Sequence, residues 1–158
     1  MNNNKDVEID KYESLVEIAK AMSKVIDEYP DSPATYRLAT GLVAEGLHRV
    51  RAIHSGLISV EANKREAKWC KEHYYGRQAS GEKIVEQIKK GKSDAFILRL
   101  VKSRSRVHYT TPQENISLRN YSHLHWREGY RQAGITLVKF YNKSSQDFKD
   151  QWKELYGE

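Results

Sequence analysis

From Leu15 through Ile18, Ala19, Met22, Val25, Ile26 and Tyr29 the apolar residues recur every three or four positions, with charged residues between them. That period gathers them on one helical face and predicts a first helix ending at the turn "YPDSPAT". Ser32 suits the cap of a second helix, because its oxygen accepts from a first-turn amide. Pro33 fits the first helical position, where no N–H is needed. The stripe Tyr36, Ala39, Val43, Leu47, Val50 and Leu57 runs on from there, with Gly41 and Gly46 placed for close approach of another helix. The first two helices are expected to form an antiparallel pair. Val60, Ala67, Cys70 and Tyr74 mark one side of a third helix, ended by Gly76 in a left-handed conformation that costs glycine little, so Cys70 would face the core. Ser80 is placed to cap a shorter fourth helix carrying Ile84, Val85 and Ile88 and stopped by Gly91.

The run "DAFILRLV" reads equally as a buried strand or a buried helical turn. Thr111 as cap, Pro112 at the first position and Glu114 at the third form a capping box. A stripe from Leu118 through Ser122, Trp126, Tyr130, Ala133, Leu137 and Tyr141 predicts a helix across "SLRNYSHLHWREGYRQ", although "ITLVKFY" also suits a strand. Ser144 or Ser145 would cap a last turn or two carrying Phe148, Trp152 and Leu155. The predicted fold class is therefore all-α, one domain over 1–158. It is a bundle of roughly five to seven helices with at most a minor β element near 95–101 or 135–141.

At 158 residues the chain is long enough to bury its own core. The longest uncharged apolar run, "AFIL", is far short of a membrane span, and charged residues interrupt the first thirty positions where a signal peptide would be apolar. A single cysteine, Cys70, excludes an internal disulfide and fits a reducing compartment, so the expected location is cytoplasmic, with no membrane partner. Charge sharpens the picture. The chain carries a formal +6, and residues 61–110 hold 13 Lys and Arg against 6 Asp and Glu, whereas residues 1–30 hold 4 against 7. The basic middle attracts polyanions, and the acidic first helix can pair with it or with a neighbouring copy.

Aromatic residues accompany the cations: Lys64, Arg65, Lys68, Trp69, Lys71, His73, Tyr74, Tyr75 and Arg77, then Arg99, Lys102, Arg104, Arg106, His108 and Tyr109. Lysine and arginine release counterions from a phosphate backbone, and aromatic or guanidinium planes stack on unpaired bases. The segment "KSRSRVHYTTPQ" is expected to be an exposed connection between helices and so the best source of contacts. The favoured function is non-enzymatic binding of RNA or single-stranded DNA through Lys64, Arg65, Lys68, Lys71, Arg77, Arg99, Lys102, Arg104, Arg106, His108 and Tyr109. An adaptor or inhibitor docking on an acidic or nucleic-acid-binding protein, and a binder of a phosphorylated small molecule such as a cyclic nucleotide, are the alternatives. A homodimer is compatible with the long helical pair.

Arg119 with His125 six positions later, and Arg49 with His54, resemble the R-x4-6-H signature of the HEPN ribonuclease superfamily. That resemblance implies an all-helical, usually dimeric domain in which arginine and histidine from both copies cut RNA without metal, here Arg119 with His125 or His123. On a regular helix Arg119 and His123 nearly align, while Arg119 and His125 stand about 120° apart. Cys70, His73, His123 and His125 are ligand types that zinc accepts, but their spacing closes no known site and Cys70 lies on an apolar stripe. Neither a metal nor another cofactor is expected.

Overall fold

In the computed structural model, which describes residues 3–64 and 67–139, eleven elements follow one another. They are α1 (Asn3–Glu28), α2 (Pro33–Arg49), β1 (Ile53–Ser59), β2 (Cys70–His73), α3 (Arg77–Lys89) and α4 (Asp94–Arg104), then β3 (Arg106–Thr110), α5 (Pro112–Leu118), a 3₁₀ turn (Arg119–Tyr121), α6 (Trp126–Gln132) and β4 (Leu137–Lys139). The expectation of an all-α bundle is overturned: six helices accompany a four-stranded mixed sheet in the order β2-β3-β1-β4.

The helical half follows its sequence cues. The Ser32 side chain accepts from the Thr35 amide at 3.2 Å with Pro33 in the first turn, and Ser93 caps α4 in the same way through the Phe96 amide. Leu15, Val16, Ala19, Val43, Leu47, Ile84, Val85, Ile97 and Val101 from α1 to α4 form one buried cluster. Two glycines allow its close approaches. A Cβ on Gly46 would meet the Leu15 side chain at 2.4 Å, and one on Gly81 would meet the Thr40 carbonyl oxygen at the same distance. "DAFILRLV" is helix and not strand, because α3 and α1 cover it as a helical face.

Elsewhere the periodicity misled. The third helix over 60–76 does not form. Its residues are a turn after β1 and the edge strand β2, because the bulge in β1 and the pairing of β2 with β3 decide which side each residue takes. Cys70 is half-buried, with Sγ 3.5 Å from the Thr110 carbonyl oxygen. Ser80 is buried inside α3, which starts from Gly76 instead. The expected connection at 102–113 is the end of α4, the strand β3 and the cap and first turn of α5. The helix expected from Leu118 to Tyr141 is broken at the 3₁₀ turn and again after Gln132, and "ITLVKFY" contains β4 over its described part. Tyr141, Ser144, Ser145, Phe148, Trp152 and Leu155 lie outside the described residues.

β3 is the strand on which the rest is hung. It runs parallel to β1, and the crossover that such a pair requires is supplied by β2, α3 and α4. It runs antiparallel to β2, with Glu72 opposite His108 and Lys71 opposite Tyr109. Val107, His108, Tyr109 and Thr110 are all buried, so both faces of β3 are covered. Tyr109 packs with Ile58, Ala62 and Trp69, while the His108 imidazole hydrogen-bonds the Tyr130 hydroxyl of α6. The capping box of α5 forms as expected and reaches further. The same Glu114 oxygen that accepts the Thr111 amide at 2.8 Å accepts the Ser59 hydroxyl at 2.6 Å, tying α5 to the end of β1. Among the described residues no helix is long and apolar enough to cross a membrane.

Candidate functional site

β2 is the edge strand, and four segments meet along its unpaired side. The Tyr74 amide donates to the Arg106 carbonyl, so by antiparallel alternation the amides of Lys71 and His73 turn away from β3. Helix α2 stops just before this edge. Val50 is extended, and the last turn carries His48 and Arg49, where positive charge suits the exposed carbonyls. The chain beyond it brings in Arg51. Gly76 begins α3 without a side-chain cap, leaving the first-turn amides unsatisfied by any side chain, and Arg77 is the first helical residue. The Thr111–Glu114 box fixes α5, and the tightening of its end into a 3₁₀ turn brings in Arg119.

The result is a cleft of about 680 Å³ whose lining includes His48, Arg51, Lys71, Arg77 and Arg119, with Asn115 and, among the described residues, a single carboxyl, Glu72. Glu72, His73 and Arg119 also border a smaller adjoining pocket of about 90 Å³, walled by Tyr74, Tyr75, Tyr121, Trp126 and Tyr130. Part of that aromatic wall is locked by its own packing. The Tyr74 ring lies 4.4 Å from Trp126 and 4.7 Å from His108, and the Arg104 guanidinium stacks 3.7 Å over Tyr75.

Burial sets the protonation of the groups beneath. It pushes Glu72 up to about 7 against the opposing pull of Arg119 and Arg77. It pushes His73 and His54 down to about 4 and His108 to about 3. His48 is also lowered, by burial first and then by Arg77. The histidines are therefore neutral near pH 7, and the fixed charge of the cleft comes from arginine and lysine.

The structure divides the residues that the sequence suggested. Lys71, Arg77 and Arg119 meet in the cleft. Lys64 and Lys68 line a separate depression beside Thr111 to Gln113, and Lys64 pairs with Glu61 at 2.5 Å. Arg99 and Arg106 are exposed outside the cleft lining, and Lys102 lies over the Tyr12 ring. His108 and Tyr109 are correctly on the strand but buried in it, which removes them as polymer contacts. Arg65 lies outside the described residues. The segments 64–77 and 99–108 thus do not gather on one face as expected.

His123 and His125 are exposed in the turn before α6, where His125 Nδ1 accepts from the Arg127 amide at 3.4 Å. They do not share a helix with Arg119, and the mixed sheet is not the all-helical frame that the R-x4-6-H resemblance implies. Cys70, His73, His123 and His125 do not form a metal-binding group; among the described residues no three or more His, Cys, Asp or Glu are placed to hold a metal ion. Sequence reasoning missed His48, Arg51 and Glu72. "HRVR" at 48–51 reads as the solvated side of a helix until the helix is known to end there, and Glu72 looks like one more charge in a basic run. The chain matches no protein-family model, no curated protein and no solved structure.

Proposed function

We propose that the chain binds single-stranded RNA, with phosphates along the cationic cleft and an unpaired base against the neighbouring aromatic wall. One observation carries the reading: Arg51, Lys71, Arg77 and Arg119, from four separate segments, line a single cleft with one carboxyl among its described lining residues. Guanidinium forks and open amides at the start of α3 are the groups that hold phosphate oxygens, and aromatic rings beside them serve a base that is not held in a duplex.

Fluorescence anisotropy with labelled oligonucleotides of roughly 10 nucleotides, about the span of one binding groove, tests it. The Arg77→Glu, Arg119→Glu pair is expected to weaken binding by about 100-fold, because two phosphate contacts become repulsions. The Lys64→Glu, Lys68→Glu pair, equal in charge change but remote from the cleft, is expected to weaken it by less than about fivefold. Equal losses in both pairs would show attraction to net charge alone and would remove the cleft from the account.

A further inference from the structure

A pure anion binder has no use for a carboxyl group in the middle of its cations, since a carboxylate repels phosphate and does so more strongly in a partly dry cleft. Glu72 occupies that place, on the wall shared by the cleft and the aromatic pocket, with Arg77 and Arg119 near enough to act on its charge. It does not serve as their anchor, because its carboxyl makes no hydrogen bond or ion pair with any described residue. The same lining carries two imidazoles, His73 on the strand with Glu72 and the less buried His48 at the end of α2. Among the described residues the cleft lining carries no hydroxyl or thiol side chain to act as nucleophile. A substrate that brings its own nucleophile beside its own phosphate fits that set of groups, and RNA does so with its 2′-hydroxyl.

Building on the reading that the cleft binds single-stranded RNA, we propose that it also cleaves the strand by transesterification. His48 and Glu72 transfer the protons, and Arg77 and Arg119 carry the charge that develops on the phosphoryl oxygens. The surroundings decide the direction of transfer. Glu72 faces His108 from β3, Tyr130 from α6, Arg77 from α3, Arg119 from the 3₁₀ turn and Tyr74 beyond its own strand. Burial among these keeps its proton on up to about pH 7. His48 faces His73 from β2, Arg77 from α3, and Glu45 and Arg49 on its own helix, and its ring is held neutral. His48 therefore takes the proton from the 2′-hydroxyl, and O2′ forms a bond to phosphorus. The P–O5′ bond breaks, and Glu72 gives its proton to the departing O5′. The products are a 2′,3′-cyclic phosphate and a 5′-hydroxyl end, and exchange with water restores both side chains.

The test incubates the full chain with labelled single-stranded RNA in EDTA, alongside the same strand carrying 2′-deoxy sugars. The expected result is a 2′,3′-cyclic phosphate end from RNA and none from the deoxy strand. Glu72→Gln and His48→Ala are each expected to slow cleavage by about 100-fold or more while oligonucleotide affinity stays within a few-fold of the parent. His123→Ala, outside the cleft, leaves the rate unchanged. In the unsubstituted protein the rate is expected to fall as pH rises above about 7, when Glu72 loses the proton it must donate. RNA that binds but is not cut, cleavage of the deoxy strand, or a rate that is flat through pH 7 would overturn the inference and leave the binding site standing. RNA that does not bind at all would remove both.

Discussion

Glu72 carries two opposed demands, and a stability measurement separates them without any ligand. Its ordinary value of 4.5 is raised to about 7 in the folded chain by burial, so the folded state holds the proton more tightly than the unfolded state. Below about pH 4.5 both states are protonated and the residue costs nothing. As pH rises from there through about 7, the unfolded carboxyl ionises first and stability is lost. Glu72→Gln keeps the shape and removes the ionisation. It is expected to raise the melting temperature at pH 8 by a few degrees, since about 1 kcal/mol moves a chain of this size by about 2–4 °C, and to change it little at pH 4.5. Scanning calorimetry at the two pH values checks this. A substitution that destabilises at pH 8 would mean that the carboxylate is held by its arginines and is not strained among them.

Among the elements, the contact of α2 with α3 is the tightest, and it fixes where the cleft can lie. His48 ends one of these helices and Arg77 begins the other. Gly81 lets the two backbones touch: an added Cβ would sit 2.4 Å from the Thr40 carbonyl oxygen and 3.0 Å from the Ala44 amide nitrogen. Neither is a flexible side chain that can step aside. Gly81→Ala is therefore expected to destabilise by about 1–3 kcal/mol despite the better helix propensity of alanine, and to weaken oligonucleotide binding as His48 and Arg77 move apart. Urea denaturation reads the first effect and anisotropy the second. The helix starts here were legible because a cap is a local event: Ser32 with Pro33, and Thr111 with Glu114, settle their own amides within one turn. The strands were not. β3 is covered on both faces, so "RVHYT" shows no alternation of apolar and polar residues. β2 is a four-residue edge that places an exposed lysine, Lys71, beside a half-buried carboxyl, Glu72, and so shows no apolar alternation either. Val60, Ala67, Cys70 and Tyr74 matched a helical period that long-range pairing overrode. Arg119 stood out in the sequence for the wrong reason, its spacing from His125, whereas its place in the cleft comes from the turn that breaks their common helix.

At the scale of the whole molecule, described charges of α1 pair across the helical side. Asp27 of α1 pairs with Lys89 at 2.8 Å, and Lys20 returns the favour to Asp94 of α4, so both links bind helix to helix. None of the described side chains of α1 lines the cleft. The field a strand meets there is set by Arg51, Lys71, Arg77 and Arg119, with His48 and His73 neutral and Glu72 about half ionised near pH 7. If each of the four gives up its present neighbours to one phosphate, with one counterion released per contact, the logarithm of affinity for single-stranded RNA should fall with the logarithm of salt at a slope near −3, at about −0.7 per contact. That amounts to a loss of roughly 50-fold between 50 and 200 mM salt. Removing charge without reversing it, as Arg77→Gln with Arg119→Gln, should bring the slope to about −1.4. Removing Lys64 and Lys68 should leave it near its starting value, because those side chains lie in a different depression and one is already held by Glu61. A slope nearer −6 that all basic substitutions reduce alike would mean that the strand follows the overall charge of the molecule, and that the four converging cations are not a site.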